Sequence, residues 1–378
     1  MDYSEAFPVI DRHTWLNHAA ISPWPAAVGD AMRGFVDMNV AQGPLGYAKW
    51  LDTEQSLRRR AAALIGAEQD DLALIKNTSE GLSLIAAGLD WQPGDALVCC
   101  AGDFPSNLMP WHQLVPDFVD VREVPFDVRD PETVLLGALD DDVRVLAVSS
   151  VRYDSGVRLD LDRLGHAAHR VGALLVVDAI QHLGALPMNV AEAPVDFVVG
   201  GSHKWLLAPE GLALFWSRPS ARRRLRTLQT GWRMWPDMFN FERSDWTRPD
   251  TARRFEPGTL NMAGIHGLDA SLELLQSIDP AARAEQLLDR TGWLIDGLAR
   301  MPGIEIVTPA ERGRRAGIVC FVPANRDPDA VLKRLASRSI FAARRGRSVR
   351  LSPNFYTPEN QIERALEVIA GIATHDVD

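Results

Sequence analysis

The 378-residue sequence has 46% hydrophobic and 24% charged residues and a formal net charge of -10, a balance that suits a folded chain with a large core. An acidic excess argues against a generic nucleic-acid binder, which needs a basic face, and no apolar run reaches bilayer length. The start "MDYSEAFPVIDRHTW" lacks a charged-then-apolar leader, and Cys99, Cys100 and Cys320 are too few for a disulfide framework or a metal site; a reduced, cytoplasmic protein is expected.

From about Leu72 to Trp216, short apolar runs alternate with amphipathic stretches. "KNTSEGLSLIAAGL" opens a helix, with Asn77 and Glu80 in a capping-box arrangement and Thr78 and Ser79 in the first turn. "DALVCC" reads as a buried strand leading into Phe104, and "VRVLAVSS" as another, followed by Arg152. After the helical pattern "DLDRLGHAAHRVG", "ALLVVD" ends in Asp178, with Gln181 just beyond. "VDFVVGG" then turns on two glycines into Ser202, His203 and Lys204, and "LALFW" follows. Continuous apolar strands alternating with helices predict a mostly parallel sheet covered on both faces.

The stretch Gln229 to Arg254 breaks this rhythm with tryptophans, prolines and charges, and reads as a long functional loop. Trp232, Trp235 and Trp246 within it fit either a substrate wall or a core role. Helical patterns from about Ala263 and from Ala281 to Arg300 follow. "GIEIV", "GIVCFV" and "SVRLS" then alternate with helices as a smaller α+β unit. The expected division is a large domain over 13–261 and a small one over 262–378, with residues 1–12 packing on the latter.

The chain has four lysines, Lys49, Lys76, Lys204 and Lys333, and relies on arginine for the rest of its positive charge. Arginine cannot lose its proton and attack a carbonyl, whereas an amine can. Ligands gather beyond the carboxyl ends of parallel strands, where Asp178, Lys204 and Phe104 all fall. An aspartate there also serves as a helix cap, and a hydroxyl-rich helix start serves equally as a cap or as a phosphate cradle. Together, a lysine able to form an imine, a carboxylate for a ring nitrogen, an aromatic cover and a phosphate-ready helix fit pyridoxal 5'-phosphate (PLP), an electron sink.

"VDAIQ", "GSHKWLLAPEGLAL", "RRFEPGTLN" and "VRLSPNFYT", in that order, resemble the class V aminotransferase family of fold-type I PLP enzymes. That family includes cysteine desulfurases, selenocysteine lyases, isopenicillin-N epimerase-like proteins and kynureninase. The resemblance runs from "WLNHAAISPWP" to "YTPENQIERALEVI". It implies that Lys204 forms the Schiff base, Asp178 faces the pyridine nitrogen, Gln181 bonds the phenolic oxygen and Phe104 stacks on the ring. Thr78, Ser79, Ser202 and His203 match phosphate positions, although desulfurases place the serine one residue earlier. Gly258 and Thr259 match a loop that reaches the neighbouring subunit's phosphate, which implies a homodimer with shared sites. Arg350 matches the arginine that grips the substrate's α-carboxylate, with membership of the cluster Arg344, Arg345, Arg347, Arg350 as the alternative. By resemblance His18 lies near the substrate. Arg152, where relatives carry an uncharged residue, meets either an acidic substrate group or a structural partner.

Desulfurases of the family carry a loop cysteine shortly before that arginine. Here the stretch reads "SIFAARRGRSVRLS", without cysteine, and Cys320 falls in a core-strand pattern. The expectation is an enzyme that carries an α-amino acid through a Lys204 Schiff base and a quinonoid intermediate. It would act as an aminotransferase or a cysteine-independent C–S lyase, with no metal. An epimerase or a kynureninase-like β-carbon cleavage is the alternative within the family, and a catalytically silent PLP-binding scaffold the alternative outside it.

Overall fold

Five apolar runs of the sequence become the buried strands Ala96–Cys100, Val143–Ser149, Leu174–Asp178, Phe197–Gly201 and Ala213–Ser217 of one seven-stranded sheet. The computed structural model describes residues 3–323 and 326–374, without the side chains of 372–374. Leu72–Ile75 closes one edge of the sheet beside Ala213–Ser217, and Asp120–Val124 closes the other beside Ala96–Cys100. The second of these had no signal as an apolar run, because "DVREV" is an edge strand with only partial burial. Ala213–Ser217 runs antiparallel to both of its neighbours; the remaining pairings are parallel. The carboxyl ends at Cys100, Ser149, Asp178 and Gly201 therefore open onto one rim, where a doubly covered sheet places its ligands.

Each face of the sheet is sealed by helices. Leu57, Ala61 and Ile65 of Tyr47–Ile65, Leu164 and Ala168 of Leu161–Arg170, and Leu268 and Leu272 of Met262–Gln276 pack one side. Leu82 and Ile85 of Thr78–Gly88, with Trp91 and Trp111, pack the other. A second, four-stranded antiparallel sheet lies towards the C-terminus, in the order Ala343–Arg345, Ser348–Leu351, Val319–Val322, Glu305–Ile306. Helices Pro280–Ala299, Pro328–Ala336 and Glu359–Thr374 accompany it, and Leu294, Leu298, Val331, Leu335 and Ile362 share its core. The chain start docks there. Thr14–Trp15 pairs in parallel with Ile340–Phe341, and Phe7 stacks on Tyr356 with ring centroids 3.7 Å apart.

A buried ion network ties the "EPGTLN" segment to the large sheet. Arg58 bonds Glu54 at 2.8 Å and Glu256 at 2.6 Å, Arg233 bonds Glu54 at 2.6 Å, and Glu256 also accepts the Leu74 amide at 2.7 Å. Removing one member of such a network costs about 3–5 kcal/mol by stranding the other charge, so Gly258 and Thr259 leave from a fixed point. Among the described residues no helix is long and apolar enough to cross a membrane.

Candidate active site

Lys204 follows directly on the Phe197–Gly201 strand, three residues beyond its end, and is almost wholly buried. Its Nζ lies 5.4 Å from the centre of the Phe104 ring. The backbone around it is tightly specified. Gly184, at φ 88°, sits against the next residue, and a Cβ there would lie 2.3 Å from the Trp205 carbonyl oxygen. Leu207, three residues on, is held at φ 54°, a left-handed conformation unfavourable for leucine. Strain of this kind persists only where the surroundings over-determine it. Here the Trp205 indole donates to Gln181 Oε1 at 2.7 Å, and the Ser202 amide to the Leu212 carbonyl at 3.0 Å.

Asp178 ends the neighbouring parallel strand and is buried; its Oδ1 accepts the Ile180 amide at 3.0 Å. Burial pushes its carboxyl well above the ordinary range, and nearby Asp103 adds to the effect against the opposing pull of Lys204. The Lys204 amine moves the other way. Burial lowers it, Asp178 partly restores it, and Arg350 and Arg345 lower it further. A buried amine depressed by burial and by neighbouring cations has the chemistry of a nucleophile and general base.

A cavity of about 460 Å³ opens beside Lys204, with Asn77, Thr78, Ser79, Phe104, His203 and Arg350 also in its wall; Asp178 and Gln181 lie outside that wall. Asn77 caps the Thr78–Gly88 helix by accepting the Glu80 amide at 2.9 Å. Thr78 Oγ1 accepts the Gly201 amide at 3.1 Å, which locks the helix start to the strand that carries Lys204. The Ser79 hydroxyl pairs with Ser106 at 2.7 Å. Phe104 stands over Lys204 because Asp103 holds it. The Asp103 carboxylate accepts the Phe104 amide at 2.7 Å, the Ser149 hydroxyl at 2.9 Å and the Asn107 side chain at 3.1 Å. Gln181 also donates to the Ala19 carbonyl at 3.0 Å, bringing the N-terminal segment up to the rim.

Arg350 is fully buried on the Ser348–Leu351 strand and lines the same cavity. It donates to the Tyr153 carbonyl at 3.0 Å and to Asn17 Oδ1 at 3.3 Å, while its Nε has no partner. Among the described residues no carboxylate pairs with it. Burial, with Arg345 nearby, lowers its guanidinium to about 9. A buried cation left in this state is costly unless an anion arrives.

Five expected site residues stand elsewhere. Ser202 commits its single hydroxyl proton to the carbonyls of Pro209 and Leu212 and does not line the cavity, so its expected phosphate role is corrected to a structural one. His18 is also sealed off. Its Nδ1–H donates to the Ser352 carbonyl at 2.8 Å, and Nε2 accepts from the Tyr356 hydroxyl at 2.7 Å. Burial lowers it to about 4, so it is a neutral strut between the chain start and "RLSPNFY" and not a substrate contact. Arg152 turns away to Asp154 at 2.8 Å and the Gly102 carbonyl at 2.8 Å, lies 3.4 Å from Asp103, and covers the Phe126 ring at 4.4 Å. Its substrate role is corrected to that of a structural ion pair supporting Asp103. Gly258 and Thr259 are in place on their loop but line a different cavity, of about 480 Å³, with Lys76 and Glu80.

Among the lining residues to which the sequence assigned no site role are Tyr153 and Arg345, the latter read only as part of a basic cluster. Tyr153 is the immediate neighbour of Arg152. Its ring meets Phe104 edge-on at 5.3 Å. The tryptophans of the long loop do not wall the cavity; Trp235 and Trp246 touch each other edge-on at 6.0 Å, with Trp246 exposed.

A lysine and a carboxylate at adjacent parallel-strand ends, an aromatic cover and a polar helix start define a PLP-dependent enzyme of the α/β class. Residues 14–362 match the family model described as aminotransferase class-V, and the chain belongs to that family. It is 29% identical over 398 residues to a probable cysteine desulfurase of Methanothermobacter thermautotrophicus, with 98% of each chain covered. It is 26% identical to the uncharacterized aminotransferase YcbU of Bacillus subtilis, over 99% of this chain and 98% of the relative. The fold matches that of the cystine C-S lyase C-DES, solved with its reaction product cysteine persulfide, at a TM-score of 0.89 and 21% identity, covering 96% of this chain and 99% of that one. PLP is the cofactor, and the residues present fit it: a buried amine and a capped helix start share one cavity, and a buried carboxylate ends the next strand.

Proposed function

We propose that the chain is a C–S lyase that acts on an α-amino acid and needs no cysteine of its own. The observation that carries this reading is the cavity wall, which presents the Lys204 amine and the unpaired Arg350 but no thiol. Cys99, Cys100 and Cys320 are all free and buried. Burial pushes each thiol up, Cys100 and Cys320 to about 12, which is the reverse of a reactive thiolate. Desulfurase and C-S lyase are the activities in the names of the relative and the structural neighbour described above.

Bound PLP supplies a carbonyl that condenses with amines and a ring that withdraws electrons. Arg350 holds the substrate α-carboxylate through its fork of donors. Lys204 removes the α-proton. Asp178 would hold a proton on the ring nitrogen, Phe104 would cover the ring, Gln181 would bond the phenolic oxygen, and Thr78, Ser79 and His203 would hold the phosphate. The sulfur-bearing group then leaves from the β-carbon with its bonding electrons, without transfer to an enzyme thiol.

The test is a product profile from the PLP-loaded enzyme with a panel of amino acids in deuterated water. Pyruvate with released thiol or sulfide is the expected result. Keto acid with an aminated cofactor would replace this reading by transamination, and label at Cα with inversion by epimerisation. A cofactor band that no amino acid perturbs would leave a silent scaffold. Arg350→Ala is expected to weaken apparent substrate affinity by about 10²-fold, the scale of a lost buried charge-assisted contact; unchanged affinity would remove Arg350 from the carboxylate site.

We further propose a homodimer whose Gly258–Thr259 loop completes the partner's phosphate site. Gly258 and Thr259 lie outside this chain's own Lys204 cavity, and Val40, Leu45, Phe239 and Phe241 are exposed, Leu45 by 87%. Tyr47 and Trp232 both touch Phe239, which joins part of this surface to the long loop. Sedimentation equilibrium is expected to return twice the 41.7 kDa chain mass; a monomer with full PLP affinity would overturn the shared site.

A further inference from the structure

The hairpin before "LSPNFY" delivers two cations to the cavity rather than one. Ala343–Arg345 and Ser348–Leu351 pair antiparallel, with Ala343 opposite Arg350 and Arg345 opposite Ser348. Directly opposed residues share a face, and so do residues two apart along a strand. Arg345 and Arg350 therefore emerge on the same face, and Arg344 on the other. Both Arg345 and Arg350 line the wall that also holds Lys204, and among the described residues no carboxylate side chain lines it.

Arg345 is half-buried and has no ion pair among the described residues. Its guanidinium lies 5.8 Å from the centre of the Tyr153 ring. One nitrogen donates to the Arg344 carbonyl at 2.6 Å, and its Nε is buried without a partner. Tyr153 links the two arginines, since its carbonyl accepts from Arg350. Thr78 and Ser79, proposed with His203 for the phosphate, belong to a separate segment at the helix start, so the two guanidiniums are left for the substrate. One α-carboxylate neutralises one of them.

Resting on the amino-acid reading above, we propose that Arg345, with Tyr153 beside it, is a specificity site for a second, distal carboxylate, so that the substrate is an α-amino acid bearing two carboxylates. Arg350 takes the α-carboxylate and Arg345 the distal one. The Tyr153 hydroxyl offers a further donor to the same group; burial and Asp154 hold this phenol above its ordinary value, so it keeps its proton at neutral pH.

The experiment compares acids with their neutral amides on the PLP-loaded protein, read as the shift of the cofactor's absorption band on binding rather than as turnover. The pairs are L-glutamate with L-glutamine, L-aspartate with L-asparagine, and S-carboxymethyl-L-cysteine with its carboxamide. Wild type is expected to bind at least one acid roughly tenfold or more tighter than its amide, the scale of one charge-assisted contact. Arg345→Gln should bring that ratio close to one and leave the amides within about twofold. Arg350→Ala should weaken both members of the pair alike. No acid preference in wild type overturns the proposal without any variant having to fold. Equal weakening of acid and amide by Arg345→Gln also overturns it, by assigning both arginines to the α-carboxylate. If no amino acid shifts the band at all, the amino-acid reading itself fails and the distal site with it.

Discussion

Lys204→Ala is expected to abolish the visible band of the lysine-bound cofactor and to lower turnover by about 10³-fold or more. General acid–base catalysis by a positioned side chain contributes about 10²–10⁴-fold, and this lysine is proposed both to tether the cofactor and to move the proton. Lys49, Lys76 and Lys333 do not line the cavity, so no other lysine of this chain stands in its wall. Lys204→Arg should be equally inactive, because a guanidinium stays protonated. Absorption spectroscopy with borohydride fixation and peptide mapping checks the tether. A variant that still fixes the cofactor, or a wild type fixed at another lysine, would end the assignment.

Asp178→Asn is expected to lower turnover by about 10²–10³-fold, the cost of losing one pre-placed charge in a water-excluded site, while the cofactor remains attached to Lys204. An amide cannot stabilise a proton on the ring nitrogen as a carboxylate does. The same variant has an opposite effect on the cofactor-free protein. Burial raises the Asp178 carboxyl from 3.8 to about 7. A raised folded value means that the stabilisation is fully present below the unfolded value and is lost as pH rises through the folded one. Cofactor-free wild type therefore loses stability across that interval, and the amide does not. Near ~pH 8 the variant should melt roughly 2–4 °C higher than wild type, and near ~pH 4 the two should differ little. Calorimetry of both apo forms at the two pH values checks the sign. In the holoenzyme, a proton on the ring nitrogen proposed to face Asp178 would supply the missing opposite charge and favour the ionised carboxylate.

The strands that carry Asp178 and Lys204 were legible because they are buried on both faces. "ALLVVD" and "VDFVVGG" have no polar alternation to blur their ends, and a strand end in a parallel sheet already names the rim on which its last residue stands. Facing was much harder to read. Arg152 and Tyr153 are adjacent, and the sequence does not say which of them turns inward; the arginine drew the functional reading and the tyrosine took the place. The basic run before Arg350 has the same difficulty. Its charges are evident, but only the hairpin phase separates Arg345, in the wall, from Arg344, which pairs with Asp329 at 2.6 Å. His18 and Ser202 were misplaced for another reason. Both lie close to cavity-lining residues along the chain, but His18 has its ring nitrogens consumed by Ser352 and Tyr356 from far away in sequence, and Ser202 has its hydroxyl consumed by carbonyls of its own loop.

The single reversed strand of the large sheet has a mechanical consequence. Because Ala213–Ser217 returns antiparallel beside Phe197–Gly201, Gly201 stands opposite Ala213, and the segment bearing Lys204 is a loop pinned shut at its base. Within it the Leu207 amide donates to the Lys204 carbonyl and the Ala208 amide to the Ser202 carbonyl, both at 3.1 Å, so the amine travels chiefly by rotation about its own four-carbon stem. For anyone redesigning this enzyme, the loop is a fixed mount: a change of its length would have to be absorbed between the Ser202–Leu212 bond at its base and Lys204, where it would move the amine.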